Sequence, residues 1–442
     1  MKLSRIVVFF IVSILIIFTL IPDPIAFALY ASDDLDDLED LYEEIDEEEA
    51  DDVDDISTVV REVPELPNIT ARIAVVMDYH TGEVLYERNM DQRWIPASMT
   101  KSMTAFITYQ EIEAGNLTLE TEIRVSESAA RFSTNRRVPG SNVPLPAGVY
   151  VSVDVLLQLT MLPSGNAAAY LLAEYISGDQ ETFVARMNET AASLGMFAEF
   201  TNSHGAFIHH TDAYSMAVLV REFISQYPDI LRITAMPRMN FRGRNFNNTN
   251  QLVRSNPFLG ADGFKTGTLR QSGPNHSTTA YRDGRRIIVV VMNAPDRHRD
   301  SRRLLEYGFA VLEHRDAELA ARVRVFYNGS LLPLDTTPII SHGNIMLPAE
   351  LMFDGQSYTT VWYEEYGLIN LHAETGDMIT IFLGRNIFVI NGETYMTEVA
   401  AVVADYQIYV PPEIVAVVTG TEVTVNISHG VVQFQSNGHI SP

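Results

Sequence analysis

Apolar and polar positions change period four times along this chain, alternating between strand-like and helical spacing. In "RIAVVMDYHTGEVLYERN" (Arg72–Asn89), two apolar-rich runs flank His80-Thr81-Gly82, which predicts a β-hairpin. The spacing then becomes helical over Met99–Ala114, Val153–Leu162, Ala167–Ile176 and Glu181–Leu194. Strand-like runs return at His276–Tyr281 and Arg286–Met292, joined by a second turn at Arg282-Asp283-Gly284, and a helix follows over Asp300–Leu312. Strands at both ends of a helical middle predict an α/β domain over residues 65–315, built on a mostly antiparallel sheet.

Beyond about residue 320 the helical period stops and short strands take over. An internal repeat is visible here. Asn328-Gly329 precedes Leu347-Pro348-Ala349-Glu350-Leu351, and Asn391-Gly392 precedes Val410-Pro411-Pro412-Glu413-Ile414, both displaced by 63 residues. Each half reads as a turn between strands followed by a Pro-x-Glu segment suited to a first helical turn. A duplicated β-rich unit over 322–435 is expected. His342, His372, His429 and His439 are scattered through it and form no metal-ligand pattern, so no metal or cofactor is expected.

The first residues follow another rule. Lys2 and Arg5 precede an apolar stretch, Ile6–Ile21, and Ala26-Phe27-Ala28 offers a small-x-small cleavage site. This is the pattern of an export signal over residues 1–28. The stretch is short for a spanning helix, so a cleaved signal is preferred to a retained anchor. Either way, the functional part is expected outside the cytoplasmic membrane. Residues 29–64 contain the run Asp33–Asp55, with 16 acidic residues and no basic one. Like charges at that density cannot build a core, and a solvated spacer is expected.

That run also dominates the formal net charge of −26; without it, 41 acidic residues face 31 basic ones. Such a balance argues against nucleic acid as a partner. With 46% hydrophobic residues the chain can bury substantial cores. It contains no cysteine, so an exported form has no disulfides and no thiol nucleophile.

Three short stretches carry candidate chemistry. In "WIPASMTKSMTAF", Ser98 and Lys101 stand three apart at the start of a helix, on one face. A serine hydroxyl needs a base, and a lysine serves as one only if desolvation or a neighbouring cation lowers its pKa. In "MLPSGNAAAYLLAEYI", Ser164-Gly165-Asn166 interrupts two helical stretches and can turn a hydroxyl and an amide into a cleft. In "FLGADGFKTGTLRQSG", Lys265-Thr266-Gly267 offers charge and hydroxyl to an anion, with a glycine that allows close backbone approach. Each has an ordinary reading: a capped helix with a solvated lysine, a helix–helix connection, an edge strand with a protective lysine. Their joint occurrence in this order, 66 and 101 residues apart, is the specific signal.

Together these stretches resemble the penicillin-recognising serine peptidases, whose signature is S-x-x-K, S-D/G-N and K-T-G. Within that group the chain is similar to the low-molecular-mass D-alanyl-D-alanine carboxypeptidases, over about residues 65–315. "NSHGAF", "NTNQLV", "DGFKTGT" and "LLEYGF" support the likeness. The resemblance implies an antiparallel sheet with a helical region, Ser98 at a helix N-terminus, and Lys265 on the facing edge strand. Ser98 would be the acylated nucleophile and Lys101 its general base. Ser164 would relay a proton to the leaving D-alanine, and Asn166 would hold the substrate amide. Lys265 would keep the site electropositive, and Thr266 would meet the terminal carboxylate. Gly267 would admit the substrate backbone, and the N–H groups of Ser98 and Thr268 would form an oxyanion hole. Arg297 matches a family arginine near the carboxylate, with Arg299 close enough to compete for that assignment. After Lys265-Thr266-Gly267-Thr268 the link to Ser272-Gly273 is one residue longer than usual, which leaves substrate preference open. The C-terminal repeat resembles the copper amine oxidase N-terminal-like domain, a name that implies no copper here.

The expected partners are peptidoglycan stem peptides, with β-lactams as inhibitors, and association with membrane or wall through the N-terminal segment and C-terminal domain. Two other functions remain open on the residues alone. A serine β-lactamase shares the first half-reaction but needs a deacylating carboxylate; Glu199 lies between the second and third motifs. A wall-binding protein with a silent peptidase domain would keep the fold without turnover.

Overall fold

The computed structural model describes residues 63–334, 336–353, 358–363, 367–373, 376–404 and 407–436. The expected signal peptide and the acidic run lie outside the described residues. The expected N-terminal hairpin forms as β1 (Ile73–Asp78) and β2 (Val84–Arg88). A short 3-10 turn, Ala97–Thr100, leads into α1 (Lys101–Glu113). Three further helices match the apolar periodicity: α2 (Val153–Met161), α3 (Asn166–Ser177) and α4 (Gln180–Ser193). α5 (Ala213–Gln226) adds to this helical region. Ser152, Asp179 and Asp212 cap α2, α4 and α5 by accepting a backbone N–H of the first turn.

Three long strands close the region: β3 (Ala261–Leu269), β4 (Gly273–Arg282) and β5 (Arg285–Met292). α6 (Arg297–Arg322) follows, capped by Asp296. The sheet order is β2-β1-β5-β4-β3, antiparallel at every pairing, so β3 is an edge strand. Both faces of this sheet are covered. Ile73, Val75, Met77, Ile288, Val290 and Met292 pack with Met103, Phe106 and Phe223 on the helical side. Ala74, Val76, Ile287, Val289 and Val291 pack with Leu304, Leu305 and Phe309 of α6 on the other. Two covered faces explain why β5 reads as an unbroken apolar run instead of alternating.

The 63-residue repeat holds strand by strand. The first copy contains β6 (Arg324–Tyr327), β7 (Ser330–Leu332), β8 (Ile339–Ser341), β9 (Asn344–Pro348), β10 (Tyr358–Tyr363) and β11 (Leu368–Ala373). After β12 (Met378–Phe382), which has no counterpart, the second copy contains β13 (Ile387–Ile390), β14 (Glu393–Met396), β15 (Val402–Ala404) and β16 (Gln407–Val410). It ends with α7 (Pro412–Thr419), β17 (Thr421–Asn426) and β18 (Val431–Ser436). Each strand of the second copy begins 63 residues after its equivalent. The Pro-x-Glu segments form the 3-10 turn Ala349–Phe353 in one copy and α7 in the other.

The copies exchange hairpins. β6 and β7 of the first share a sheet with β17 and β18 of the second, in the order β7-β6-β18-β17. β10 and β11 share another with β13 and β14, in the order β10-β11-β12-β13-β14. The middle hairpins meet where Leu347 pairs with Val410, its own equivalent 63 residues on. By contact density, the sheet β10-β11-β12-β13-β14 belongs to one compact unit, and the antiparallel sheet β2-β1-β5-β4-β3 with the other repeat sheets belongs to another.

Candidate active site

Ser98 lies on the 3-10 turn, and Lys101 is the first residue of α1. Pro96 precedes the turn, and Ala97 takes a left-handed φ of 51°, an uncommon conformation for a residue with a Cβ. Lys101 is fully buried. Its Nζ lies 3.0 Å from Ser98 Oγ and 2.8 Å from Asn166 Oδ1, and it also reaches the carbonyl of His204. Two of these partners, a carbonyl and an amide oxygen, can only accept. Asn166 Nδ2 donates to the carbonyl of Pro139 at 2.9 Å, which orients the amide with its oxygen toward Lys101. A neutral Lys101 therefore gives its two hydrogens to Asn166 and His204 and turns its lone pair to the Ser98 hydroxyl.

The electrostatics favour that neutral form. Burial, and then the charge of Lys265, hold Lys101 well below the usual lysine range. Burial, and then Arg297, lower Lys265 to about 7. The cations thus act in sequence, Arg297 on Lys265 and Lys265 on Lys101.

Ser164 closes the turn before α3 with a left-handed φ of 65°. Its hydroxyl is buried and has no hydrogen-bond partner among the described residues. β3 supplies the opposite wall. Lys265 Nζ donates to the Thr266 carbonyl at 2.9 Å, and Thr266 Oγ1 donates to Thr249 Oγ1 at 2.7 Å. Gly267 permits the closest approach: a Cβ there would stand 2.5 Å from Pro96 O and 3.1 Å from Ser98 N. Arg297 reaches from α6, its Nη1 donating to Gly267 O at 3.0 Å and Thr268 Oγ1 at 2.8 Å.

The structure thus brings Ser98, Lys101, Asn166, Lys265, Thr266, Gly267, Thr268 and Arg297 together from five elements, the 3-10 turn, α1, α3, β3 and α6, with Ser164 on the adjoining turn. Arg299, the competing arginine, instead pairs with Asp296 at 3.3 Å on the exposed side of the first turn of α6. Glu199 pairs with Arg93 and lies 3.6 Å from His210 on an exposed hairpin. Among the described residues, no carboxylate hydrogen-bonds Ser98 or Lys101.

Two supports escaped the reading of the residues. The first is a directed chain behind the nucleophile turn. Gly205 N donates to Asn202 Oδ1 at 2.7 Å, and Asn202 Nδ2 to His209 Nδ1 at 3.1 Å. His209 Nε2 lies 2.6 Å from Thr100 Oγ1, which donates to Ala97 O at 2.7 Å. A Cβ on Gly205 would come within 2.0 Å of Ala97 O, so the segment packs backbone to backbone against the strained residue. The second is Thr249, which links Thr266 to the Leu162 carbonyl ahead of Ser164. Asn202 and Gly205 lie in "NSHGAF" and Thr249 in "NTNQLV", stretches that carry the family resemblance without a role for these residues, while His209 lies two residues beyond the first.

Residues 60–296 match the D-alanyl-D-alanine carboxypeptidase family model. The chain belongs to the D-alanyl-D-alanine carboxypeptidase family. It is a serine-type carboxypeptidase in class, and its residues 326–434 match the copper amine oxidase N-terminal domain. The carboxypeptidase DacF of Bacillus subtilis is 31% identical over 270 residues, covering 58% of this chain and 67% of the relative. DacD of Escherichia coli is 31% identical over 315 residues, covering 69% of this chain and 80% of the relative. Among solved structures, a peptidoglycan synthesis regulatory factor (PBP3) from Streptococcus pneumoniae superposes with a TM-score of 0.52 at 30% identity. It covers 55% of this chain and 77% of its own. The family match ends at Asp296, the N-cap of α6, so the whole helix, with Arg297, and the repeat lie outside it.

Proposed function

We propose that this carboxypeptidase removes the terminal D-alanine of peptidoglycan stem peptides through an acyl-enzyme on Ser98. The observation that carries this reading is the environment of Lys101 Nζ, where, among its hydrogen-bond partners in the described residues, Ser98 Oγ is the one able to donate a proton. Lys101 takes that proton as the oxygen attacks the penultimate carbonyl. The Ser98 N–H, beside Gly267, and the Thr268 N–H on the edge strand receive the developing oxyanion. The substrate lies along β3 as an added strand. Asn166 holds its amide, and Thr266 with Arg297 receives the terminal carboxylate. Ser164, whose hydroxyl is otherwise unpaired, passes the proton from Lys101 to the leaving amine. Water then repeats the sequence in reverse at the acyl carbon.

β-Lactams present a strained amide and a carboxylate to the same groups, and they acylate Ser98. The absence of a carboxylate among the hydrogen-bond partners of Ser98 and Lys101 favours a persistent adduct over rapid β-lactam hydrolysis. We further propose that the enzyme is exported, with residues 65–315 as the catalytic domain and 322–435 as the appended repeat, and that the N-terminal segment and this repeat associate with membrane or wall.

The test is intact-protein mass over time after adding benzylpenicillin, with Ser98→Ala in parallel. The expected result is a stable one-to-one adduct that the mutant lacks, with acylation reduced by a factor of at least ~10³ in Lys101→Ala. A transient adduct with drug consumption would identify a β-lactamase. Full acylation of either mutant would overturn the mechanism.

A further inference from the structure

Arg297 does not stand alone at the end of the substrate groove. Its Nη1 is committed to β3 and β4 through Gly267 O, Thr268 Oγ1 and Asn275 O. Its Nε donates to His298 Nε2 at 3.3 Å. Nη2 makes no hydrogen bond within the protein among the described residues, and it is the donor left over for an anion. The direction of Nη2 therefore depends on what fixes the other two nitrogens.

Behind His298 stands a second imidazole. His276, fully buried on β4 and paired in register with Thr266 of β3, lies with its ring centroid 5.0 Å from that of His298, edge to face at 70°. His276 Nδ1 is 3.0 Å from Ser301 Oγ, one turn further along α6. The remaining ring nitrogens, His276 Nε2 and His298 Nδ1, are both buried and both unpaired among the described residues. Burying two such nitrogens is unfavourable, and an apolar pair would fill the same space without that cost.

The hydrogen-bond directions explain the arrangement. His298 Nε2 can accept from Arg297 only if its proton is on Nδ1, making Nδ1 a donor. If His276 donates from Nδ1 to Ser301, its Nε2 is an acceptor. The two unpaired atoms are then complementary in sign, a donor and an acceptor, and without a hydrogen bond between them the His276 ring, held by Ser301, backs His298 by edge-to-face packing.

We propose that His298, backed by His276, is a positioning residue that fixes the Arg297 guanidinium so that Nη2 faces the carboxylate of the substrate. The inference rests on the carboxypeptidase reading above and deepens it, because it concerns recognition of the terminal carboxylate and not the acylation chemistry. Burial and then the Arg297 charge hold His298 at about 4, so its acceptor nitrogen stays unprotonated across the neutral range.

The experiment compares acylation of the full chain by benzylpenicillin and by its methyl ester, which differ in the free carboxylate. Second-order acylation rates are measured for wild type, His298→Ala, His298→Gln and His276→Leu. In His298→Ala the rate with benzylpenicillin is expected to fall ~10-fold or more, while the slower ester reaction changes by less than about twofold. His298→Gln, whose side-chain oxygen can accept from Arg297 Nε, is expected to recover most of the loss. His276→Leu should show a smaller loss with the same preference. Equal losses with both reagents, or no loss in His298→Ala, would overturn the inference and leave the acyl-enzyme reading intact. A wild-type protein that forms no Ser98 adduct with either reagent would overturn that reading, and the inference with it.

Discussion

Lys265 shows how an individual side chain carries a cost and a use at once. It is fully buried and held at about 7, far from the usual lysine value. In the unfolded chain the same group keeps its proton until about 10.4. Between those values the unfolded state binds a proton that the folded state has lost, so wild-type stability rises with pH across that window. Lys265→Met removes the buried ammonium. The variant is expected to be more stable than wild type near pH 7, by about 1–3 kcal/mol, and its denaturation midpoint should climb less steeply from about 7 to about 10, with the remaining rise due to Lys101. The same substitution acts on Lys101 in the opposite sense. Without the neighbouring cation, protonated Lys101 is easier to form, its pKa rises, and the acid limb of acylation moves to higher pH. Urea titrations at several pH values and a pH profile of benzylpenicillin acylation read the two effects separately. An unchanged acid limb would mean that burial alone sets the base. Residues of this kind were partly legible beforehand. Ser98 and Lys101 share a local spacing, and the motif order tied them to Ser164 and Lys265. His209, Thr249, His276 and His298 were not legible, because their partners are contributed by distant segments and a lone histidine in a sequence points equally well to a core.

At the scale of elements, the site depends on how closely β3 can approach the turn before α1. Gly267→Ala would place a methyl group against backbone atoms on three sides, Pro96 O, Ser98 N and Met99 N, none of which can rotate away. Acylation is expected to fall at least ~100-fold, with a lowered melting temperature. Retained acylation would show that β3 can shift outward without cost. The element boundaries also show what apolar patterning reports. The expected helix over Asp300–Leu312 runs in fact from Arg297 to Arg322, while its buried residues end at Leu312. Periodicity ended where full burial ended, and the partly exposed Glu313–Arg322 stretch continues the helix on propensity and on ion pairs, Asp316 to Arg285 and Arg315 to Glu83, both at 2.7 Å. At the other end of the domain, the helix read as starting at Met99 begins with a 3-10 turn. Left-handed Ala97 and the packing of Gly205 against it impose a geometry that spacing alone does not encode.

Across the whole molecule, the duplication makes the two copies unequal to their halves. The first copy with the linking β12 would contain β6 without β18, β9 without β16 and β12 without β13, three strands each missing a bonded neighbour. Unpaired edges of that kind recruit other chains. The catalytic sheet β2-β1-β5-β4-β3 takes no strand from the repeat, and α6 covers its second face before the repeat begins. Two truncations should therefore behave in reverse order of length. A chain ending at residue 322, after α6, is expected to stay soluble and to form the Ser98 adduct at close to the full-length rate. A longer chain ending at residue 386, with one copy of the repeat, is expected to aggregate or oligomerise through its open edges. Size-exclusion chromatography with intact mass after benzylpenicillin treatment distinguishes them. A monomeric, cooperatively folding one-copy chain would mean that each copy closes its own sheets, contrary to the exchanged hairpins. An inactive chain ending at 322 would mean that the repeat contributes to the catalytic unit. The 63-residue period was readable from two Asn-Gly turns and two Pro-x-Glu segments, but the exchange was not. Identical patterning in the two copies leaves open which hairpin pairs with which, and only long-range strand pairing resolves that choice.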